Sequence, residues 1–371
     1  MKRLYKYQST NSEANEAHVI IYPDEHAPLF AQQLADVQNQ LEELLKTPEM
    51  QGYQPVFARY FISDAANQTA TLEPSVSREA YAVSVVQQPP LCGVKVALWV
   101  YMIADVEVCR IAEGFYAVKH GVYNHYWKSS DIMLDGDSEK QTIKHLLDYS
   151  EKLSSVGLSL ADNCVRTWFF VQDIDNNYSG VVKGRNEVFA THGLTTDTHY
   201  IASTGIGGRS ANAATKVLMD AYAVGGLQPQ QMNYLYAKSH LNRTSEYGVA
   251  FERGTYLDYG DRRHVYISGT ASIDNKGNVL YVNDICKQTH RMWDNVAALL
   301  AEANACWDDV GVMIVYLRDM ADYDVVKSMY EERFSGKPYI IVQAPVCRAG
   351  WLIEMECMAV VARKMSDVAD F

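Results

Sequence analysis

The chain has 371 residues, of which 48% are apolar and 21% are charged. This length and composition suit two or three globular domains and exclude a disordered or fibrous chain. Acidic residues outnumber lysine plus arginine by 45 to 33, which gives a net charge of -12. Because no basic patch offsets this charge, we expect the protein to bind neither nucleic acid nor a membrane surface.

The N-terminal segment and the cysteines both predict a soluble cytoplasmic protein. No apolar segment with a cleavage site follows the basic N-terminus, and no stretch approaches the roughly 18 apolar residues that span a membrane. The seven cysteines form no C-x-x-C pair, so reduced thiols fit better than disulfides or zinc. His120 and His125 lack the helical spacing of a metal pair. We predict no metal and no cofactor.

One phrase occurs three times along the chain: VFARYFISD ends at Asp64, VRTWFFVQD at Asp173 and GVMIVYLRD at Asp319. Each copy is typical of an apolar strand followed by an acidic turn. The copies lie too far apart for a solenoid repeat and at a distance that suits small domains in tandem. The sequence therefore predicts a triplicated domain.

Helices and strands recur around each copy. Apolar residues at spacings of three and four predict an amphipathic helix before each copy, over 30–44, 143–153 and 292–303. A second helix is expected after each copy, and a long apolar strand closes each unit, beginning at Val94, Ala214 and Trp351. These elements predict an α+β unit in which two helices cover one face of a mixed sheet.

Linkers are expected near 104–114 and 225–233, where apolar periodicity lapses. The predicted organisation is a truncated unit at 1–104, complete units at 112–225 and 233–363, and a frayed tail at 364–371. The first unit is called truncated because only HVIIYP precedes its helix.

The third unit resembles the RidA (YjgF) family over residues 265–361. HVYISGTASID matches the opening strands of that family, QTHRMWDNVAALLAEANACWDDV its first helix, and IEMECMAV its last strand. The resemblance implies a chorismate-mutase-like fold, which in that family forms trimers with clefts between subunits. Three tandem copies imply an intrachain pseudo-trimer, and hence a monomeric protein.

A second resemblance, to the chorismatases, covers about 165–360. It is carried by VRTWFFVQDIDNNYSGVVKGRNEVF, IASTGIGG, VYISGTASI and CRAGWLIE, although SEYGVAFERG is shorter than the proline-containing loop of those enzymes. Chorismatases are tandem RidA-like proteins that hydrolyse the enol-pyruvyl ether of chorismate. The resemblance implies a cleft between the second and third units that accepts a small carboxylated substrate.

Glu354 is the candidate general acid. Alternation along LIEMECM places it with Glu356 on one face of the last strand and apolar side chains on the other. A buried carboxyl of raised pKa could protonate an enol ether, whereas two solvated glutamates are the alternative. Cys347 matches the cysteine of the chorismatase subtype that yields hydroxybenzoate, and its alternative role is that of a small buried apolar residue.

Arginine suits the recognition of carboxylates because its planar fork binds them in a bidentate manner. Arg185 and Arg253 match arginines of chorismatase motifs, while a surface salt bridge is the alternative for any one arginine. The further candidates for substrate binding are Arg166, Arg209, Arg348, Tyr178 and Tyr247.

Three functions remain open at this point. The first is a chorismatase-like enzyme that cleaves pyruvate from chorismate or a related enol ether. The second is a RidA-type deaminase of enamines or imines, although Tyr339 or Ile340 stands where the carboxylate-binding arginine of those deaminases is expected. The third is a non-catalytic protein that binds a small molecule in a cleft, because a fold alone does not fix a function.

Overall fold

The computed structural model of the protein describes residues 1–9, 14–24 and 27–371. These residues form three mixed sheets. The first sheet has strands β1 (Lys2–Tyr7), β2 (Glu16–Ile21), β3 (Tyr53–Ile62), β4 (Ala82–Gln87) and β5 (Val96–Ala104), in the order β1-β2-β5-β3-β4. Its helices are α1 (Phe30–Leu45) and α2 (Ala65–Leu72).

The second and third sheets each have six strands among the described residues. The second sheet contains β6 (Glu107–Ala112), β7 (Phe115–His120), β8 (Tyr123–Lys128), β9 (Cys164–Val171), β10 (Ala202–Gly207) and β11 (Val217–Gly225), with helices α3 (Ser138–Ser155), α4 (Leu160–Asn163) and α5 (Ile174–Thr191). The third contains β12 (Met232–Leu235), β13 (Gly254–Asp258), β14 (Arg262–Ala271), β15 (Val310–Leu317), β16 (Tyr339–Gln343) and β17 (Ile353–Ala362), with helices α6 (Ile285–Glu302) and α7 (Tyr323–Arg333). Their strand orders are β10-β9-β11-β8-β7-β6 and β12-β13-β14-β17-β15-β16.

The same pairing pattern recurs in all three sheets. The strand that carries the repeated phrase (β3, β9 or β15) is antiparallel to the closing strand (β5, β11 or β17) and parallel to the next strand (β4, β10 or β16). The RidA-like α+β fold is therefore repeated along the chain, as the sequence predicts.

The two faces of each sheet have different neighbours. One face packs against the helices of the same sheet; Leu34 and Val37 of α1, for example, lie in one buried cluster with Leu98 of β5. The opposite faces share one core, in which Trp127 lies 4.7 Å from the Phe57 ring and 6.3 Å from the Trp168 ring. Because this shared core buries large aromatic side chains, it holds the sheets in fixed positions.

Main-chain bridges join the three sheets in a ring. Gln87 pairs with Arg209, Pro90 pairs with Val342, and Ile206 pairs with Val346. Each sheet thus contacts the other two through the chain that follows its parallel edge strand. These contacts leave clefts between neighbouring sheets, and the clefts contain the candidate functional residues.

Three expectations about chain organisation need correction. The predicted linker near 104–114 contains β6, an edge strand whose exposed side chains hide its periodicity. The predicted frayed tail at 364–371 is docked, because Phe371 is 2% exposed and its backbone N–H donates to Asp261. In the first unit the sequence predicted only the strand within HVIIYP before the first helix, whereas the described residues there form both β1 and β2. The boundaries of the three units otherwise stay a prediction.

Across the described ranges, none of the helices has the length and apolar character needed to cross a membrane.

Candidate functional site

Cleft A is a cavity of about 410 Å³ between the second and third sheets. Helix α5 and strand β10 form one wall, and β14, β17 and the loop before β17 form the other. Six of the side chains singled out in the sequence line it: Tyr178, Arg185, Arg253, Cys347, Arg348 and Glu354. Residues from distant parts of the chain thus meet in one place.

Glu354 is held by the register of the third sheet. It lies on β17 opposite Tyr316 of β15 and Ala271 of β14, and it is only 5% exposed. Gly269 of β14 makes room for the carboxyl group, because a Cβ at that position would lie 2.1 Å from Glu354 Oε1. The alternation inferred from the sequence holds, but both faces of β17 are buried, so the two glutamates are not solvated.

Burial raises the pKa of Glu354 to about 8, and repulsion from the carboxylate of Glu356 acts in the same direction. The guanidinium groups of Arg253 and Arg166 partly offset this increase in pKa. Glu354 is therefore mostly protonated at neutral pH, which is the state that a general acid requires.

Arg185 brings an unsatisfied guanidinium to the same cavity. It lies on α5, is 1% exposed, and stacks near the rings of Phe169 and Phe251, at 5.9 and 5.6 Å. Within the described residues, its Nε and Nη2 atoms are buried and have no hydrogen-bond acceptor. Because buried donors without a partner are costly, this arrangement favours a bound anion.

Arg253 is a second buried arginine of cleft A, just ahead of β13. Its Nη2 donates to the backbone oxygen and to Oδ1 of Asn242, at 3.2 and 3.1 Å, which fixes the direction of the side chain. The loop that precedes it, SEYGVAFERG, lines the cavity at Gly248, Val249 and Phe251. The side chain of Tyr247 lies outside the described part of the structure.

Cys347 and Tyr178 form a pair across the cavity, since Tyr178 hydrogen-bonds the thiol. Burial raises the pKa of the Cys347 thiol to about 12, and the nearby carboxyl of Glu354 adds to this effect. The thiol is therefore neutral at physiological pH and unsuited to act as a nucleophile. Gly205 of β10 gives Tyr178 its space, because a Cβ there would lie 2.8 Å from the ring.

Further residues line cleft A that the sequence did not single out or ranked lower. Lys183 lies two positions before Arg185 on α5, and Arg348 directly follows Cys347 and stacks 4.9 Å from the ring of Trp351. Their closeness in sequence to Arg185 and Cys347 was the signal that could have identified them as lining residues. The cavity is therefore lined by four cationic side chains and one acidic side chain, Glu354.

The structure places two predicted binding residues, Arg166 and Arg209, outside cleft A. Arg166 of β9 faces the shared core, where its Nη2 donates to Glu356 Oε2 at 2.8 Å. Arg209 lines a separate cavity of about 230 Å³, because it follows β10 and pairs there with Gln87. Residue type alone could not separate these arginines from Arg185.

The sequence of the third unit is similar to known proteins. The endoribonuclease L-PSP family model matches residues 253–361. The chain is 36% identical to a RutC family protein of Saccharolobus solfataricus over 23% of this chain and 67% of that protein. It is 34% identical to a RutC family protein of Pyrococcus abyssi, over 26% of this chain and 76% of that protein. The 3-aminoacrylate deaminase RutC of Acinetobacter baylyi is 30% identical over 26% of this chain and 77% of its own length.

A similarity of fold extends over most of the chain. A crystal structure of a chorismatase superposes with a TM-score of 0.67, covering 92% of this chain and 98% of that chain at 17% identity. At this identity the likeness concerns the fold, which both chains share across the three sheets. Together with the relatives of higher identity, it shows that the chain belongs to the RidA (YjgF) family, the family of the endoribonuclease L-PSP model, as a tandem member with the fold of a chorismatase.

Proposed function

We propose that the protein is a chorismatase-like enzyme that cleaves pyruvate from chorismate, or from a related carboxylated enol ether, in cleft A. One observation carries this proposal. A carboxyl of raised pKa, Glu354, faces the same cavity as Arg185, a buried guanidinium with two unpaired donors. An acid beside an anion site is what protonation of a carboxylated enol ether requires.

The proton of Glu354 starts the reaction. It passes to the terminal methylene carbon of the enol ether, where the electrons of the double bond form the new C–H bond and leave an oxocarbenium ion. Water adds to the cationic carbon and returns a proton to the Glu354 carboxylate. The resulting hemiketal then breaks its ether C–O bond and releases pyruvate and the ring alcohol. The acid is regenerated, and one water molecule is consumed.

The cationic side chains of cleft A hold the substrate. Chorismate carries two carboxylates, and Arg185 and Arg253 are the two buried guanidinium groups that line the cavity. We assign one substrate carboxylate to the unpaired donors of Arg185 and the second to the side of the cavity where Arg253 and Arg348 lie. Tyr178 and Cys347 then border the reacting part of the substrate.

Cys347 is proposed to select the product. The mixture of hydroxybenzoate and pyruvate contains the same atoms as chorismate, so that route consumes no water, in contrast to hydrolysis. Because the Cys347 thiol is neutral and sits beside Glu354, it can exclude water from the oxocarbenium carbon and favour attack by a ring hydroxyl. Its role is to shape the cavity and not to form a covalent bond.

The assembly that we propose is a monomer with a pseudo-threefold arrangement of its sheets. The bridges between the sheets form a closed ring within one chain, so no second chain is needed to complete the clefts. A scattering mass near 42 kDa is expected from the chain mass of 41.8 kDa. A mass of three chains would contradict this arrangement.

The test is turnover of chorismate by the purified protein. Pyruvate and the aromatic or dienoic acid would be separated by chromatography for the wild type, Glu354→Gln and Arg209→Met. We expect pyruvate from the wild type and a loss of about 10²- to 10⁴-fold in Glu354→Gln. Arg209→Met is the matched control, because this arginine lies outside cleft A and its removal should leave turnover unchanged. Equal turnover by Glu354→Gln and the wild type would refute the mechanism.

A second candidate is the activity named for the Acinetobacter baylyi relative, deamination of 3-aminoacrylate. The similarity in sequence favours it, whereas the absence of arginine from β16 opposes it. Release of ammonia from 3-aminoacrylate, with no pyruvate from chorismate, would support this candidate. Chorismate that raises the melting temperature and is recovered unchanged would indicate binding without catalysis.

A further inference from the structure

Cleft B is a cavity of about 580 Å³ between the third and first sheets. Helix α7 and strand β16 form one wall, and β1, the residues that follow β2, α1 and the loop before β5 form the other. In cleft A, helix α5 and strand β10 occupy the positions of α7 and β16. Cleft B is therefore the counterpart of cleft A in the internal repeat.

The repeat also places matching side chains in the two clefts. Tyr323 of cleft B corresponds to Tyr178, the first residue of the aligned segments YDVVKSMYEERF and YSGVVKGRNEVF, and Cys92 in QPPLC corresponds to Cys347 in QAPVC. The position of Glu354 differs, since Ala97 takes it in the register of β5 with β3. The closing strand thus supplies no acid to cleft B.

An arginine enters cleft B from the neighbouring sheet. The guanidinium carbon of Arg3, on β1, lies 3.9 Å from the centre of the Tyr339 ring on β16. In the described parts of the chain, Nη1 of Arg3 is shielded from solvent and has no hydrogen-bond acceptor. A guanidinium fixed by an aromatic ring, with a donor left unpaired, suits a carboxylate.

Carboxyl groups also line cleft B, and this distinguishes it from cleft A, whose charged lining is mostly cationic. Asp24, Asp36 and Glu331 face it together with Arg3 and Lys327. Glu331 is only weakly engaged, since its carboxylate lies 3.9 Å from Lys327 Nζ. A lining of both signs suits a ligand that carries both charges.

Aromatic and apolar side chains fill the remaining wall. Three tyrosines, Tyr22, Tyr323 and Tyr339, line the cavity together with Val94 and Ile341. The hydroxyl of Tyr22 donates to the backbone oxygen of Tyr339, which joins the first and third sheets at this point. This wall fits a flat apolar body between the charged groups.

We propose that cleft B is a second ligand site that binds a small aromatic zwitterion, of the class of the aromatic α-amino acids, without turning it over. The carboxylate of the ligand binds Arg3, its ammonium group faces the carboxyl groups of the lining, and its ring lies among the tyrosines. Because the site lies between the first and third sheets, a bound ligand stabilises their contact. This inference is independent of the reaction proposed for cleft A.

The experiment measures the binding of 4-fluorophenylalanine to the full chain by equilibrium dialysis and ¹⁹F NMR. We expect one equivalent to bind to the wild type and to Arg185→Met, since Arg185 belongs to cleft A. We expect affinity to fall at least tenfold in Arg3→Met and in Asp36→Asn, and 4-fluorobenzoate, which lacks the ammonium group, to bind at least tenfold more weakly. Arg3→Lys should recover part of the affinity.

Several outcomes would overturn the proposal. Unchanged affinity in Arg3→Met, or equal binding of 4-fluorobenzoate, would remove the assigned ligand class. Loss of binding in Arg185→Met would place the probe in cleft A. If Arg3→Met does not fold, Asp36→Asn carries the test, because its side chain is partly exposed and its melting temperature reports folding. Failure of chorismate turnover leaves each of these readouts unchanged.

Discussion

Clefts A and B are built from the same elements of a repeated fold and differ in a few side chains. Cleft A has Glu354 on its closing strand and an unpaired arginine on its own helix, whereas cleft B has Ala97 at the first position and takes Arg3 from a neighbouring sheet. Four cations and one acid line cleft A, and cleft B is lined by charges of both signs. The repeated fold gives both clefts the same backbone elements, and a few side chains give each cleft its own charge.

A third cavity lies between the first and second sheets. That cavity, of about 800 Å³, has Leu218 at the position of Glu354, and its four cationic side chains each lie within 4.0 Å of a carboxylate. Paired charges at a surface are largely satisfied and leave little attraction for an anion. We therefore expect an anion to bind in cleft A and cleft B, where a guanidinium has unpaired donors among the described residues, and not in this third cavity.

After the loss of the Glu354 carboxyl itself, the largest expected effect comes from Gly269→Ala. A Cβ at this position would lie 2.1 Å from Glu354 Oε1, so the carboxyl must leave its place, and we expect turnover of chorismate to fall about a hundredfold. The matched control is Gly350→Ala in the turn just before β17, where the nearest atom to the added Cβ would be 3.5 Å away. Equal turnover by the two variants would mean that the position of Glu354 does not matter for the reaction.

The second effect concerns the unpaired donors of Arg185. Replacement by methionine removes the charge and the fork, and a hydrogen bond to a charged group contributes about 1.5–3 kcal/mol. We therefore expect the KM for chorismate to rise tenfold to a hundredfold in Arg185→Met, with a smaller rise in Arg185→Lys. Steady-state kinetics would measure both. A loss of kcat at unchanged KM would assign Arg185 to the chemical step instead of to binding.

The fold and part of the candidate site could be predicted from the sequence. Periodicity and the threefold phrase predicted the helices, the closing strands and the alternation that separates Glu354 from Met355, because these depend on short stretches of chain. The structure shows in addition which elements pack against each face of a strand. Both faces of β17 are covered, since sheets distant in sequence pack against it, and this contact cannot be read from the residues of one strand.

The arginines show the same limit. Arg166 and Arg185 each occur in motifs of the second unit, yet one has Glu356 as its partner and the other has none among the described residues. The partner of Arg166 comes from the third sheet, almost two hundred positions later in the chain. Arg3 had no signal in the sequence, because its role depends on the approach of β1 to Tyr339.

The third effect is on stability against pH. The pKa of Glu354 rises from 4.5 to about 8 on folding, so unfolding between these values releases a proton, and the free energy of unfolding falls by about 1.4 kcal/mol for each unit of rising pH. Glu354→Gln has no such proton, so this contribution to the slope should vanish. Urea unfolding of both proteins at pH 5, 6 and 7 would measure the difference. Parallel slopes would show that the carboxyl is ionised in the folded protein.

The smallest effect on rate is expected for Cys347→Ala. This variant tests whether Cys347 sets the ratio of products in cleft A. The thiol is neutral and forms no bond in the proposed reaction, so we expect kcat to change by less than about threefold. The ratio of products should change, because the smaller side chain leaves room for water beside the oxocarbenium carbon, and the dienoic acid should gain at the expense of hydroxybenzoate. Cys286→Ala, at an exposed cysteine that does not line cleft A, controls for loss of a thiol. A fall in rate as large as that of Glu354→Gln would instead make Cys347 part of the chemistry.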